Sequence, residues 1–352
     1  MKTSILIASI SIIVFGVSCK EQKKKENRDL FIGNGKMPNL SRDNAGNFHV
    51  AYGTSDSIMY ATSTDEGNTF STPSLIAVLP QLVASSMRGP QIASTTIGLA
   101  VIACNRSGDI FSYTRDESGK WIPSSKVNDV DTVAKEGLMA LGADGNNAFA
   151  AWLDLRDKHN KIVGSKSTDG GKTWSKNIIV YASPDTTVCE CCKPSVTIKG
   201  ANVYVMFRNH LHGNRDLHLI QSTDGGSSFG KAIQLGKENW ALNGCPMDGG
   251  GLVINNKGEP ETVWRRKNII YACILGQPET AIGEGKGCTI ESVNGKNVYA
   301  WAENGEIIIR KPQGMKVNLG KGQLPLIKSI NNEHILCVWE NDKQVHAKIV
   351  SL

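Results

Sequence analysis

Apolar residues along this chain come in short runs broken by polar, glycine-bearing turns, and no stretch keeps the helical period over a long span. Four such runs are Ile58-Met59-Tyr60, Ile110-Phe111-Ser112-Tyr113, Ile162-Val163-Gly164 and Leu217-His218-Leu219-Ile220. Each leads into a turn that ends on an aromatic residue, which reads as a β-hairpin. Three of these turns share one frame, S-T-D-x-G-x-(S/T)-aromatic: Ser63–Phe70, Ser167–Trp174 and Ser222–Phe229. A degenerate copy runs from Thr114 to Trp121. In this frame Asp65, Asp169 and Asp224 are placed to accept hydrogen bonds from turn amides. Gly67, Gly171 and Gly226 supply a positive φ, and Phe70, Trp174 and Phe229 cover the hairpin base.

A further strand precedes each hairpin: Phe48–Gly53, Leu99–Cys104, Ala148–Asp154, Val203–Asn209, Pro260–Arg266, Val298–Asn304 and Ile335–Asn341. The strands that follow begin near Ile58, Ile110, Ile162, Leu217, Ile269, Ile307 and Gln344, at spacings of 52, 52, 55, 52, 38 and 37 residues. Repetition at a near-fixed period sets the architecture. The octads resemble the Asp-box, or BNR repeat, of sialidase-like β-propellers, over most of the chain from about residue 39. The resemblance implies an all-β propeller. Seven units predict seven blades; six, the sialidase number, requires two short C-terminal units to merge. The last unit shows only three strands, and Leu30–Lys36 is the candidate for its missing outer strand. Such closure leaves few exposed sheet edges.

In a propeller the loops leading into each innermost strand, and those joining the second and third strands, gather on one face. The Asp-box turns lie on the other and are expected to be structural. The working face is therefore expected to carry Ser86–Pro90, Val188–Pro194, Arg208–Asp216, Trp240–Gly249 and Gly287-Cys288. The loop Cys189-Glu190-Cys191-Cys192 and the segment Gly244-Cys245-Pro246 resemble an uncharacterised group of secreted sialidase-like propellers, which supports pairing the two loops and supplies no activity. Two readings of these cysteines stand open. Outside the cytoplasm disulfides are the default, and a bridge to Cys245 would staple neighbouring blades. Alternatively, Cys189, Cys191, Cys192 and Cys245 with His210, His212 or Met247 would suit a soft ion, Cu(I) or Zn(II). Cys104, Cys273 and Cys337 fall within strand patterns and are expected to be buried apolar residues.

The N-terminus adds a location. Lys2, the apolar run Ile5–Val17 and Gly16-Val17-Ser18-Cys19 resemble a bacterial lipoprotein signal, with Gly16 where Leu is usual. This implies a signal peptide over residues 1–18, lipid on Cys19, a polar tether over 19–29 and a propeller over 30–352. The expected location is the bacterial cell envelope; plain signal cleavage is the alternative. The tether carries +2 and Lys2 +1 of the formal +6, which leaves +3 on the propeller, too little to argue for nucleic acid.

Resemblance to sialidases raises a catalytic reading. That family grips a carboxylate with three arginines and uses a Tyr–Glu nucleophile pair with an Asp acid/base. Arg88-Gly89-Pro90 resembles its Arg-Ile-Pro motif, displaced past the first Asp-box. Arg208, Arg215, Arg265 and Arg266 are candidates to complete the triad, and Asp154 and Asp248 are candidate acids. No tyrosine of the last blade is placed as nucleophile. A polysaccharide lyase with His210 or His212 as base is a further option. The leading expectation is an envelope binding protein with a Cys/His/Arg-lined face, its partner an acidic glycan or an envelope protein; a glycan-acting enzyme is the alternative.

Overall fold

Apolar residues dominate the second strand of most repeats, and these strands are largely buried on both faces: Phe48–Thr54, Gly98–Cys104, Asn147–Asp154, Asn202–Arg208, Pro260–Arg266, Lys296–Glu303 and His334–Asn341. A strand inside its own sheet whose two faces each meet a neighbouring sheet has no solvent side, so its apolar pattern is continuous rather than alternating. The computed structural model describes residues 28–352 apart from Glu117, and every helix-or-strand element in it is a strand. They form seven four-stranded antiparallel sheets, the blades of a propeller. The six-blade alternative is thereby excluded. The innermost strands of blades one to seven are Lys36–Arg42, Gln91–Thr95, Met139–Asp144, Ser195–Lys199, Gly250–Ile254, Lys286–Val293 and Gln323–Ser329. Trp152 and Trp301 are fully buried in second strands, each such side chain contributing about 1.5–3 kcal/mol by its removal from water.

The ring closes as the sequence suggests. Leu30–Asn34 becomes the outer strand of blade seven, with Leu30 opposite Ala347 and Asn34 opposite Gln344. The signal segment, Cys19 and the tether before Arg28 lie outside the described residues.

The octad turns join the third and fourth strands of blades one, three and four. Their frame is explained bond by bond. Ser167 Oγ donates to Asp169 Oδ1 at 2.8 Å and accepts from Gly171 N at 2.8 Å. Asp169 also takes the Thr173 amide at 2.9 Å and hydroxyl at 2.6 Å. Asp65 and Asp224 repeat this pattern with Ser63 and Thr69, and with Ser222 and Ser228. Gly226 has φ +84°, and a Cβ there would lie 2.6 Å from the Phe149 ring of the preceding blade. The glycine is thus needed twice, for its backbone angle and for blade-to-blade contact. Phe229 completes that contact at 5.5 Å from Phe149.

Candidate functional site at the channel mouth

Polar residues on the innermost strands line a central channel of about 530 Å³, among them Asn39, Gln91, Ser195 and Glu291. At the end bearing the cysteine loops it continues into a pocket of about 100 Å³. Met37, Met87 and Leu324 form the apolar side of this mouth, each with positive φ, and Asn39, Gln91 and Lys193 the polar side. The Lys193 ammonium donates to Gln91 Oε1 at 2.8 Å. Gln91 is fixed in that orientation because its Nε2 donates to the carbonyls of Gly89 (2.9 Å) and Pro90 (3.0 Å), while Asn39 Nδ2 donates to the same Oε1 at 3.2 Å. Among the described residues no carboxylate pairs with Lys193. Removal of its ammonium from water at the mouth pushes its pKa from 10.5 down to about 8.

Beside the mouth, the loop before Lys193 gathers three sulfurs. Cys189, Cys191 and Cys192 are buried, with ligand atoms within 4.8 Å of one another, and they are the one such group of His, Cys, Asp or Glu among the described residues. Cys191 is bonded to Cys245 of the loop leading into blade five, with Cα atoms 6.2 Å apart. The disulfide reading thus applies to that pair, while Cys189 and Cys192 are free thiols 3.3 Å apart. Arg215 Nη1 donates to Cys189 Sγ at 3.2 Å and to Glu190 at 3.1 Å. The Cys192 hydrogen bond, the Cys191 amide, the Arg208 charge and the Arg215 hydrogen bond hold the Cys189 thiol below its ordinary range, against the effect of burial. Burial, then Cys189 itself, pushes Cys192 up. Cys104, Cys273 and Cys337 are buried free thiols, as expected; Cys288 is buried too, but against the mouth pocket.

The remaining predicted residues sit apart from the sulfurs or are held by the protein. The His212 ring is 79% exposed and faces Asp185 at 3.5 Å; His210 bonds through its backbone to Asn209 and Ser183. Neither ring belongs to the sulfur group, and Met247 is 48% exposed. Arg88 turns away from the channel toward Glu136, whose carbonyl accepts from Nε at 2.5 Å. Arg208 is buried, donates to the carbonyls of Arg215 (2.7 Å) and Arg265 (2.8 Å), and lies 5.2 Å from the Trp240 ring. Arg266 is paired with Glu238 and Glu279. Asp248 is buried and bonded to Arg265 at 2.5 Å and to the amides of Gly249 and Gly287. Asp154 is buried against Arg156, which donates to both its oxygens at 2.8 and 3.0 Å.

A family model described as a BNR repeat-like domain matches residues 44–240, more than half of the 352 residues. The chain belongs to that family. Solved structures extend the likeness of this BNR repeat-like propeller to nearly its whole length. The α-L-arabinanase of Penicillium chrysogenum, complexed with arabinobiose, is 11% identical, with 92% of this chain and 97% of that one covered and a TM-score of 0.56. The α-L-arabinofuranosidase of Fusarium graminearum gives 14% identity, 92% and 97% coverage and 0.54. A ulvan lyase bound to a GlcA-containing sugar gives 10% identity, 92% and 96% coverage and 0.55. At such identities the likeness concerns the fold. No curated protein matches by sequence.

The sequence reading of this BNR repeat-like propeller named the cysteine loops beside this mouth and gave no role to the side chains that line it. Lys193, Gln91 and Asn39 went unassigned. A signal was present: Pro38-Asn39, Pro90-Gln91, Pro194-Ser195 and Pro325-Leu326 recur at the head of four innermost strands.

Proposed function

We propose that this propeller is a cell-envelope binding protein, lipid-anchored through Cys19, whose channel mouth takes the anionic group of an acidic sugar. The observation that carries this is the Lys193 ammonium: it stands at the mouth with one neutral hydrogen-bond partner, and among the described residues no carboxylate is paired with it, Asp248 of the same pocket being held by Arg265. An ammonium in so little water favours a ligand anion over an empty pocket. Asn39 and Gln91 offer neutral hydrogen-bonding edges beside it, and the mouth methionines offer an apolar wall for a sugar ring. Binding is favoured over glycoside hydrolysis because Asp154 and Asp248 are buried and tied to arginines, whereas hydrolysis needs two carboxyl groups open to one bond. The sugars in the compared structures lend no ligand at 10–14% identity; the charges of this chain carry the reading.

The test is calorimetric titration with uronate- or sialate-bearing oligosaccharides and their neutral counterparts. Wild type should prefer the acidic members, and Lys193→Gln should weaken them by at least about tenfold, as expected for a charge-assisted hydrogen bond. Equal affinity for neutral sugars, or an unaffected variant, rejects the reading.

One observation favours a second reading. An amine with a pKa of about 8 is partly neutral at working pH and suits a general base that abstracts the proton beside a uronate carboxylate, the step of a polysaccharide lyase. An unsaturated, ultraviolet-absorbing product from an acidic polysaccharide, lost in Lys193→Gln, would replace binding by elimination.

A further inference from the structure

Four sulfurs in this protein are arranged as a pair bonded at the surface and a pair of thiols beneath it. Cys245 lies on an exposed loop, and its partner Cys191 is buried. Cys189 Sγ is 3.8 Å from Cys191 Sγ, which is contact distance, and 3.3 Å from Cys192 Sγ. Arg215 donates to Cys189 Sγ at 3.2 Å. Arg208 is buried nearby with its Nε unpaired and no carboxylate bonded to it among the described residues. A guanidinium hydrogen bond to sulfur favours the thiolate, and two arginines beside these sulfurs repel a bound cation. The arrangement therefore suits sulfur–sulfur chemistry better than a soft metal.

We propose that Cys189, Cys191, Cys192 and Cys245 form a thiol–disulfide exchange site that moves one disulfide between the surface pair Cys191–Cys245 and the buried pair Cys189–Cys192. In the first step the Cys189 thiolate bonds to Cys191 Sγ and the Cys191–Cys245 bond breaks. Cys245 leaves as a thiolate at the surface and takes a proton from water. In the second step Cys192 gives its proton to water and bonds to Cys189 Sγ, expelling Cys191 as a thiolate that is then protonated. One disulfide and two thiols stand on each side, so no external oxidant or reductant enters. The exchange unstaples the loop leading into blade five and presents Cys245 as the thiol that external disulfides or thiols would meet. The proposal stands on the sulfurs and is independent of any sugar at the mouth.

The test uses the full chain without reductant, exposed to a bulky maleimide, quenched in acid and mapped by peptide mass spectrometry. In wild type the label should appear on Cys245, together with a Cys189–Cys192 bond. In Cys189→Ser the label on Cys245 should appear at least about tenfold more slowly, since the attacking thiolate is gone. Should that variant fold poorly, Cys192→Ser serves: labelling of Cys245 should continue, with the bond halted at Cys189–Cys191. Retention of Cys191–Cys245 as the only bond in wild type overturns the proposal. So does equal labelling in wild type and a folded Cys189→Ser, or a stoichiometric metal that protects Cys189 and Cys192.

Discussion

Replacing Lys193 by methionine should make the protein more stable while it abolishes the mouth's charge. The side chain keeps its length and apolar stem, and only the ammonium is lost. The fall of the Lys193 pKa from 10.5 to about 8 corresponds to roughly 3 kcal/mol by which the fold disfavours the charged form. Channel water relieves part of this, so about 1–3 kcal/mol of added stability is expected at pH 7. The sign follows from linkage. Below about pH 8 the lysine is charged in both folded and unfolded chains, and the full cost is present. Between about 8 and 10.5 the unfolded chain keeps the proton that the folded one has lost, so wild-type stability rises toward that of the variant. Urea unfolding of both proteins at several pH values, without reductant, measures the difference; tyrosine and cysteine titrations are common to both and cancel. A variant less stable than wild type throughout, or a difference that does not shrink between pH 8 and 10.5, refutes the reasoning.

Three further outcomes are expected. Cys245→Ser removes a bond spanning 54 residues and should cost about 2–4 kcal/mol in urea unfolding under non-reducing conditions. Asp169→Ala loses the carboxylate that organises its turn and should lower stability by about 1–2 kcal/mol. Its carboxyl is held below the ordinary range by Thr173 and Ser167 against burial, so that contribution is present at neutral pH and is lost only as pH falls through the depressed value; acid titration of the melting temperature of wild type and variant should converge there. Arg88→Ala should change the affinity for an acidic sugar by less than about twofold, because Arg88 is bonded to Glu136 rather than aimed at the channel; a tenfold loss in the calorimetric titration would return it to the site.

The blades were legible because their determinants are local. The Ser, Asp, Gly and hydroxyl of each octad bond to one another within seven residues, and second strands such as Phe48–Thr54 announce themselves by continuous apolar sequence. The shorter blades five to seven lack the octad and were still found, since Pro260–Arg266 and its successors keep the same strand pattern. The mouth was harder because it is assembled from residues far apart. Gln91 and Lys193 are separated by 102 positions, and their pairing depends on equal register of innermost strands in different blades. Arg88 shows the converse error. A motif-like neighbourhood marked it, but its guanidinium is bonded to the carbonyl and carboxylate of Glu136. For the cysteines, location made disulfides the default and spacing left a metal centre open as the alternative; Cys191 and Cys245 are joined because neighbouring blades bring their loops together.

The closing strand has a mechanical consequence. Leu30–Asn34 and Gln344–Ser351 lie side by side, so a pull on either end of the propeller is received by the same sheet. A load arriving at Leu30 from the N-terminal side would meet the outermost strand of blade seven first. Peeling that strand would expose a sheet edge without disturbing the channel mouth, which is built from innermost strands at the centre of the ring. The rim would yield before the hub, and a ligand seated at the axis would be shielded from forces that reach the rim.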